Sequence, residues 1–341
     1  MPLFSSQRSV SGVFSARKKS GGILPYLTRQ VITTGYVAGG YKDGVAWRNV
    51  NKLNQSNDTT SNLGDLMQEA GNYTKGAQTK DKAYIFGTNG TGTQGVGEYT
   101  STSTFSMRTD TTAAKAMNSS TAIGDGSTIQ ATDTQGNYTF AYFNGNNTGG
   151  FARKYNMATE SDVGTVGSSL YQGGTGAGAH WEENHGYWWD DTNSSRKLVF
   201  STETETTPGA SPGFHGQQKG LVAKTGFGYG GNEGTYGSGR YFRKWNYTTE
   251  ITQSTPQKPV WFCGEENYVA GQTAGYLLGH YSDTAGGNAS AQGQTNDSGK
   301  FTYATDSGFR GAFDPTGTSS GAGSNGAAIG GRSSGVPFWR D

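Results

Sequence analysis

The sequence predicts an all-β fold assembled from repeated units of roughly 50 residues. Three observations carry that expectation. Glycine accounts for 56 of 341 residues, aromatics for 12% and charged residues for only 16%. Glycine supplies positive φ in turns while Tyr, Phe and Thr suit a pleated surface, so this is the usage of short strands and many turns. The second observation is a recurring element: an apolar or aromatic residue, a small polar residue, two variable positions, Thr and an acid. The third is a Gly-aromatic-apolar run that precedes each copy of it.

The Thr-acid element begins at Val50 in degenerate form, then at Phe105, Tyr155, Phe200, Trp245 and Phe301. The successive steps are 55, 50, 45, 45 and 56 residues. The Gly-aromatic element reads G-Y-V-A-G-G at 35, A-Y-I-F-G at 83, N-Y-T-F-A at 137, G-Y-W-W-D at 186, G-F-G-Y-G-G at 226 and G-Y-L-L-G at 275. One four-stranded antiparallel sheet fits each unit, because strands of about five residues plus their turns fill the period. Sheets repeated in this way are the cue for a β-propeller, in which radial repetition leaves only short, protected edges. In that reading the Gly-aromatic element is the first strand, its small residues fitting a crowded central channel. W-R-N-V-N and F-A-R-K-Y-N lie on the second strand with an aromatic between neighbouring blades, and the Thr-acid pair turns the hairpin.

The pattern restarts near the end of the chain. Gly326 to Gly331 matches Gly35 to Gly40 at a constant offset, and Phe338-Trp339-Arg340 mirrors Trp47-Arg48. The expectation is six complete blades and a seventh shared between the termini, with residues 326 onward giving inner strands and Gly22 to Thr34 an outer one. If the restart is only a cap, the count falls to six. Residues 1–21 then form a basic N-terminal arm and residues 22–341 a single domain.

The Gly-Gly pairs at 39, 230 and 330, each followed by an aromatic, resemble kelch-type propellers. The opening M-P-L-F-S-S-Q-R-S-V-S-G and T-G-Y-V-A-G-G-Y-K-D-G-V-A-W-R-N-V-N-K resemble propeller-type virion structural proteins of tailed phages of the cyanophage kind. That resemblance implies assembly in the host cytoplasm and other virion proteins as partners, in the tail, the neck or on the head. It brings no motif of known chemistry.

Charge agrees with a protein partner. A formal net charge of +1 argues against nucleic acid, which demands a basic face. Arg8, Arg17, Lys18, Lys19, Arg29 and Lys42 all precede the first acid, Asp43, so the arm suits an acidic neighbour. Cys263 is the only cysteine, which rules out an intrachain disulfide and a cysteine-based metal cluster. The first twenty residues lack the apolar core of a signal peptide and no run reaches a membrane span, so the Asn-x-Ser/Thr triplets such as Asn72 and Asn137 are expected to stay bare.

The residue types raise several chemistries. Gly35, Gly40 and Lys42 approximate a phosphate loop, but Tyr41 interrupts Gly-Lys and Asp43 replaces the hydroxyl. His180, Glu182, Glu183 and His185 are of metal-ligating types, although the His spacing of five does not suit a helix. Trp181, Trp188 and Trp189 beside Asp190 and Asp191 could stack on and hydrogen-bond a sugar, with Trp188 claimed by packing between blades. Arg153, Arg196 and Arg243 number a sialidase triad but fall on an equivalent strand of each unit. Cys263 and the histidines make no copper set, Gly237-Ser238-Gly239 makes no nucleophile elbow, and T-D-T-Q-G-N-Y-T-F at 132 is one residue too long for an Asp-box turn. The expectation is a non-enzymatic virion component without a cofactor or membrane contact. The rivals are a glycan-binding adhesin using Trp181, Trp189, Asp190 and Asp191, and a polysaccharide hydrolase.

Overall fold

The computed structural model describes residues 34–42, 45–71, 74–79, 81–88, 99–113, 116–123, 127–132, 138–144, 152–166, 178–182, 184–189, 195–208, 223–224, 226–232, 241–254, 268–271, 273–282, 293–310 and 327–330. By backbone contacts, Thr33–Arg340 forms one compact unit and Met1–Ile32 with Asp341 another. The expected boundary between arm and body, at residues 21 and 22, lies outside the described residues.

Every described element is a strand, and the strands form six four-layered antiparallel ladders. Sheet 1 runs β27 (Ala327–Gly330), β1 (Thr34–Ala38), β4 (Asn49–Asn54), β5 (Thr59–Asp65). In sheet 2, β6 (Lys75–Gln78), β7 (Lys82–Thr88) and β8 (Tyr99–Ser106) are followed by a bulged outer layer, β9 (Thr111–Thr112) and β10 (Ala116–Ile123). Sheet 3 is β11 (Ser127–Thr132), β12 (Tyr138–Asn144), β13 (Ala152–Asn156) and β14 (Ser161–Val166). Sheet 4 is β15 (Gly178–Trp181), β16 (His185–Trp189), β17 (Ser195–Val199) and β18 (Thr204–Thr206). Sheet 5 is β19 (Ala223–Lys224), β20 (Phe227–Asn232), β21 (Tyr241–Asn246) and β22 (Ile251–Ser254). Sheet 6 is β23 (Tyr268–Ala270), β24 (Ala274–Ser282), β25 (Gly293–Thr302) and β26 (Ser307–Arg310). A short hairpin, β2 (Tyr41–Lys42) with β3 (Val45–Ala46), interrupts sheet 1 between β1 and β4.

Two expectations are corrected by this topology. The Gly-aromatic element is the second strand of each sheet, not the first, and the Thr-acid turn joins the third strand to the fourth. The first strands of sheets 2 to 6 are only two to six residues long, as in β19 with Ala223-Lys224, and carry no repeating signature. The terminal segment is also not a second copy of Gly35 to Gly40. It pairs antiparallel with that very stretch, Gly35 opposite Gly330 and Tyr36 opposite Ile329, and so becomes the first strand of sheet 1.

The core lies between the sheets. Tyr36, Ala38 and Val50 of sheet 1 pack on Ala83, Ile85 and Phe105 of sheet 2. Tyr84 and Phe86 then meet Tyr155 and Met157 of sheet 3, and Tyr142 meets Trp181, Trp188 and Leu198 of sheet 4. Tyr187 packs on Trp245 and Tyr247 of sheet 5, and Tyr229 on Phe301 and Tyr303 of sheet 6. The succession returns to its start: Val269, Ala274 and Tyr276 of sheet 6 bury against Val37 and Leu53 of sheet 1. Sheet 1 is thus itself the sheet shared between the two ends of the chain, as expected, but among the described residues sheet 6 packs directly on it and no seventh sheet stands between them. The outer strand of sheet 1 is β5, and residues 22–33 lie outside the described residues.

Crowding does explain Gly35, but at this junction. A Cβ there would stand 2.2 Å from Val269 Cγ1 of sheet 6, a distance no packed side chain tolerates.

Candidate functional site

The densest recurring chemistry sits at the six junctions. Each Thr-acid turn ends with its acid in the left-handed region: Asp58, Asp110, Glu160, Glu203, Glu250 and Asp306 have φ between 49° and 55°. That conformation costs a non-glycine residue about 1–2 kcal/mol, least for Asp and Asn. The small polar residue of the motif closes the turn from the other side. The side-chain oxygen of Asn156 accepts from the amides of Ala158 and Thr159 at 2.9 and 3.2 Å, and Asn246 does the same for Thr248 and Thr249 at 2.9 and 3.0 Å. Asn54 and Ser106 hold Ser56 and Thr109 in the same way. This is the turn-forming use of Asn and Ser next to their own backbone.

The left-handed residue aims its carboxylate at the preceding sheet. There a tyrosine from the second strand donates its hydroxyl: Tyr36 to Asp110 at 3.0 Å, Tyr84 to Glu160 at 3.1 Å, Tyr142 to Glu203 at 2.9 Å, Tyr187 to Glu250 at 3.4 Å, and Tyr229 to Asp306 at 3.0 Å. The sixth closes the series, Tyr276 of the last sheet donating to Asp58 of the first at 2.9 Å. A lysine ammonium reaches the same carboxylate each time: Lys52, Lys82, Lys154, Lys197, Lys244 and Lys300, respectively. Each Nζ also lies 5.4 to 5.8 Å from the centre of the tyrosine ring, within cation–π range.

Register explains the recurrence. Five of the lysines stand directly opposite their tyrosine on the third strand, as Lys52 does Tyr36 and Lys300 does Tyr276. In sheet 2 that place is held by Thr104, which is buried, and the ammonium comes instead from Lys82, two residues before Tyr84 on the same strand. Gln68 occupies the backbone beside Thr104: its Oε1 accepts from Thr104 N at 2.8 Å and its Nε2 donates to Thr104 O at 2.8 Å. Because Lys82 supplies the ammonium, this junction has its ion pair without a lysine at 104.

Burial raises the tyrosine hydroxyls well above their ordinary pKa, and the adjacent carboxylate adds to the effect. The phenols therefore stay protonated as donors. The arrangement is a hydrogen-bonded ion pair that fastens one sheet to the next.

The turns also correct two copies of the motif. The left-handed residue in sheet 4 is Glu203, so that copy begins at Leu198 and not at Phe200; in sheet 1 it is Asp58, so the copy begins at Leu53 and not at Val50. Leucine in place of the aromatic hid both. The tyrosine of sheet 3 is likewise Tyr142, four residues beyond the N-Y-T-F-A reading, and that of sheet 5 is Tyr229, two beyond Phe227. The lysine is not part of the motif as read from the sequence, although it immediately precedes the apolar residue at 53, 155, 198, 245 and 301.

The other residues singled out in the sequence are placed as follows. The amides of Gly39 and Gly40 donate to Asn49 O and Gly71 O at 2.9 and 2.8 Å, so this stretch is tied into the sheet rather than wrapped around a phosphate. Trp181 is buried with Trp188 in the core between sheets 3 and 4, and its ring offers no face to a sugar. Trp188 packs between sheets as the motif implies. Trp189 is the last residue of β16, while Asp190 and Asp191 lie outside the described residues, as do Arg8, Arg17, Lys18 and Lys19. Glu182 and His185 pair with each other across the β15–β16 turn. His180 falls on β15, Glu183 lies outside the described residues, and no group of three potential metal-ligating side chains gathers among the described residues.

The arginines do recur on the third strand. Arg153 pairs with Asp162 and Arg196 with Glu205, the latter at 2.8 Å. Burial pushes the Glu205 carboxyl up while Arg196 opposes it, and burial pushes the Arg153 guanidinium down.

No family model and no curated protein matches the chain. Among solved structures it is similar to one titled "Structure of YjhT", with a TM-score of 0.49 and 12% identity over 81% of this chain and 96% of that one.

Proposed function

We propose that this chain is a non-enzymatic structural component of a tailed-phage virion: a β-propeller of six four-stranded blades, docked on its neighbours by the basic arm at residues 1–21. The observation that carries the reading is the use of the recurring acids. All six engage a lysine and a tyrosine of the adjacent sheet, and the sixth returns to the first. A chain that spends its repeated polar side chains on holding sheets together is built for rigidity. The resemblance of its opening residues to virion propeller proteins supplies the particle, and the charge of the arm supplies the docking.

The test is incorporation. Removing residues 1–21 is expected to leave the melting temperature of the body unchanged while the protein disappears from purified particles. Incorporation at the level of the intact chain would overturn docking by the arm. A glycan array run alongside with Trp189→Ala as control separates this role from that of an adhesin, since binding lost in the control would assign the surface to sugar recognition. Trp181→Ala is unsuitable there because Trp181 is part of the core.

A further inference from the structure

The six junctions share one polar latch but not one packing. Two places on the third strand flank each latch: the apolar residue of the motif and the residue two beyond it. In five sheets at least one of the two is aromatic, as Phe105, Tyr155, Phe200, Trp245 with Tyr247, and Phe301 with Tyr303. Each meets the tyrosine of the preceding sheet, with ring centres 4.9 to 6.1 Å apart. In sheet 1 the same places hold Leu53 and Gln55. The junction of sheets 6 and 1 is therefore an aliphatic cluster, Val37, Leu53, Val269 and Ala274, around Tyr276. Gln55 contributes one hydrogen bond across it, from Nε2 to Ala270 O at 3.2 Å.

Polar groups sharpen the difference. Asn49 and Asn51 alternate along β4 on the face that carries Leu53 toward sheet 6. Both Oδ1 atoms are shut off from solvent and accept no hydrogen bond from the described residues, and Asn51 is only 4% exposed. In sheets 3 and 4 the place of Asn51 belongs to Arg153 and Arg196, which are paired with Asp162 and Glu205. A buried acceptor without a donor favours any state that returns it to water. Glycine adds to the effect, since Gly35 and Gly271 line this junction and bring close approach without an apolar side chain. The latch itself is kept, with Tyr276 and Lys300 both on Asp58.

We propose that the seam between sheets 6 and 1 is a gate, at which the succession of sheets opens while the other five junctions stay closed. Folded proteins open in sub-global units, and regions with few buried apolar contacts open first. Parting sheets 6 and 1 hydrates Asn49 and Asn51 and leaves each sheet whole, because no ladder crosses the seam. The gate does not depend on a role in a virion.

Thiol labelling of the full chain reads the opening, since a buried cysteine reacts only when its junction parts. Ala274→Cys and Val37→Cys stand on the two sides of the seam. Ala83→Cys and Ala141→Cys report on the junctions of sheet 1 with 2 and sheet 2 with 3, and all four positions are buried. Peptide mass spectrometry separates each from Cys263. Both seam thiols are expected to react about tenfold or more faster than the two controls, with a weaker dependence on urea. Either seam variant suffices should the other fail to fold. Asn51→Leu, which removes one unpaired acceptor, is expected to slow labelling at the seam several-fold and to leave the controls unchanged. Seam thiols no faster than the controls, or seam labelling that Asn51→Leu does not slow, would overturn the gate.

Discussion

Substituting Glu203 separates the two halves of a junction. Its carboxylate accepts from the Tyr142 hydroxyl at 2.9 Å and from Lys154, and the residue sits at φ 53°. Glu203→Ala removes both contacts and leaves the backbone in the left-handed region. A hydrogen bond to a charged group contributes about 1.5–3 kcal/mol by mutation. The ion pair adds about 1 kcal/mol or less, because a third of the Glu203 side chain is open to solvent screening. The expected loss is about 2–3 kcal/mol. Glu203→Gly loses the same contacts but relieves the backbone, so it is expected to be less destabilised than the alanine variant by about 1 kcal/mol. Urea denaturation of both variants, followed by tryptophan fluorescence, reads the two numbers. An alanine variant within about 0.5 kcal/mol of wild type would show that the contact carries no stability. A glycine variant no better than alanine would refute the backbone argument.

Other outcomes follow from the same geometry. The six junction tyrosines have hydroxyls raised by burial and by their acids, so their contribution is fully present below the unfolded value of about 10 and is lost as the pH rises toward the folded-state values. Each tyrosine that ionises only on unfolding removes about 1.4 kcal/mol per pH unit, and tyrosinate absorbance is expected to appear together with unfolding rather than before it. Tyrosines that titrate while the far-ultraviolet signal stays native would contradict this. Gly35→Ala is expected to cost about 1–3 kcal/mol through its clash with Val269, and Val269→Ala to recover most of that loss in the double variant, measured by thermal melts. Ile329→Pro, in the terminal strand that pairs with β1, is expected to lower the melting temperature, since proline cannot donate within a ladder. An unchanged melting temperature would remove that strand from sheet 1.

The all-β class and the repeat were legible because turns demand particular residues. A left-handed acid preceded by Thr, with Asn or Ser closing the turn, leaves a pattern that survives changes elsewhere. The order of strands was not legible. First strands such as Lys75–Gln78 and Ala223–Lys224 are short and carry no common residue, so the first recurring element was one strand later than it seemed. Trp181 illustrates a second limit: composition presents a tryptophan beside acids, and only packing against Tyr142 and Leu198 decides that its ring is inside. The lysines of the junctions were readable in principle, because Lys-apolar recurs five times, but their purpose depends on which tyrosine stands opposite across the ladder. That is a matter of register. Thr104 shows why even the recurrence is incomplete, since Lys82 reaches the same carboxylate from another strand.

The central claim is that the succession of sheets closes through the last onto the first. Asp58 and Tyr276 are 218 residues apart in sequence and meet only if it does. A double-mutant cycle with Asp58→Ala, Tyr276→Phe and the combined variant isolates that contact, because the backbone effect at residue 58 cancels between its two arms. The account predicts a coupling of about 1–2 kcal/mol, similar to that of Asp110 with Tyr36 in the same kind of cycle. Strictly additive effects would contradict closure.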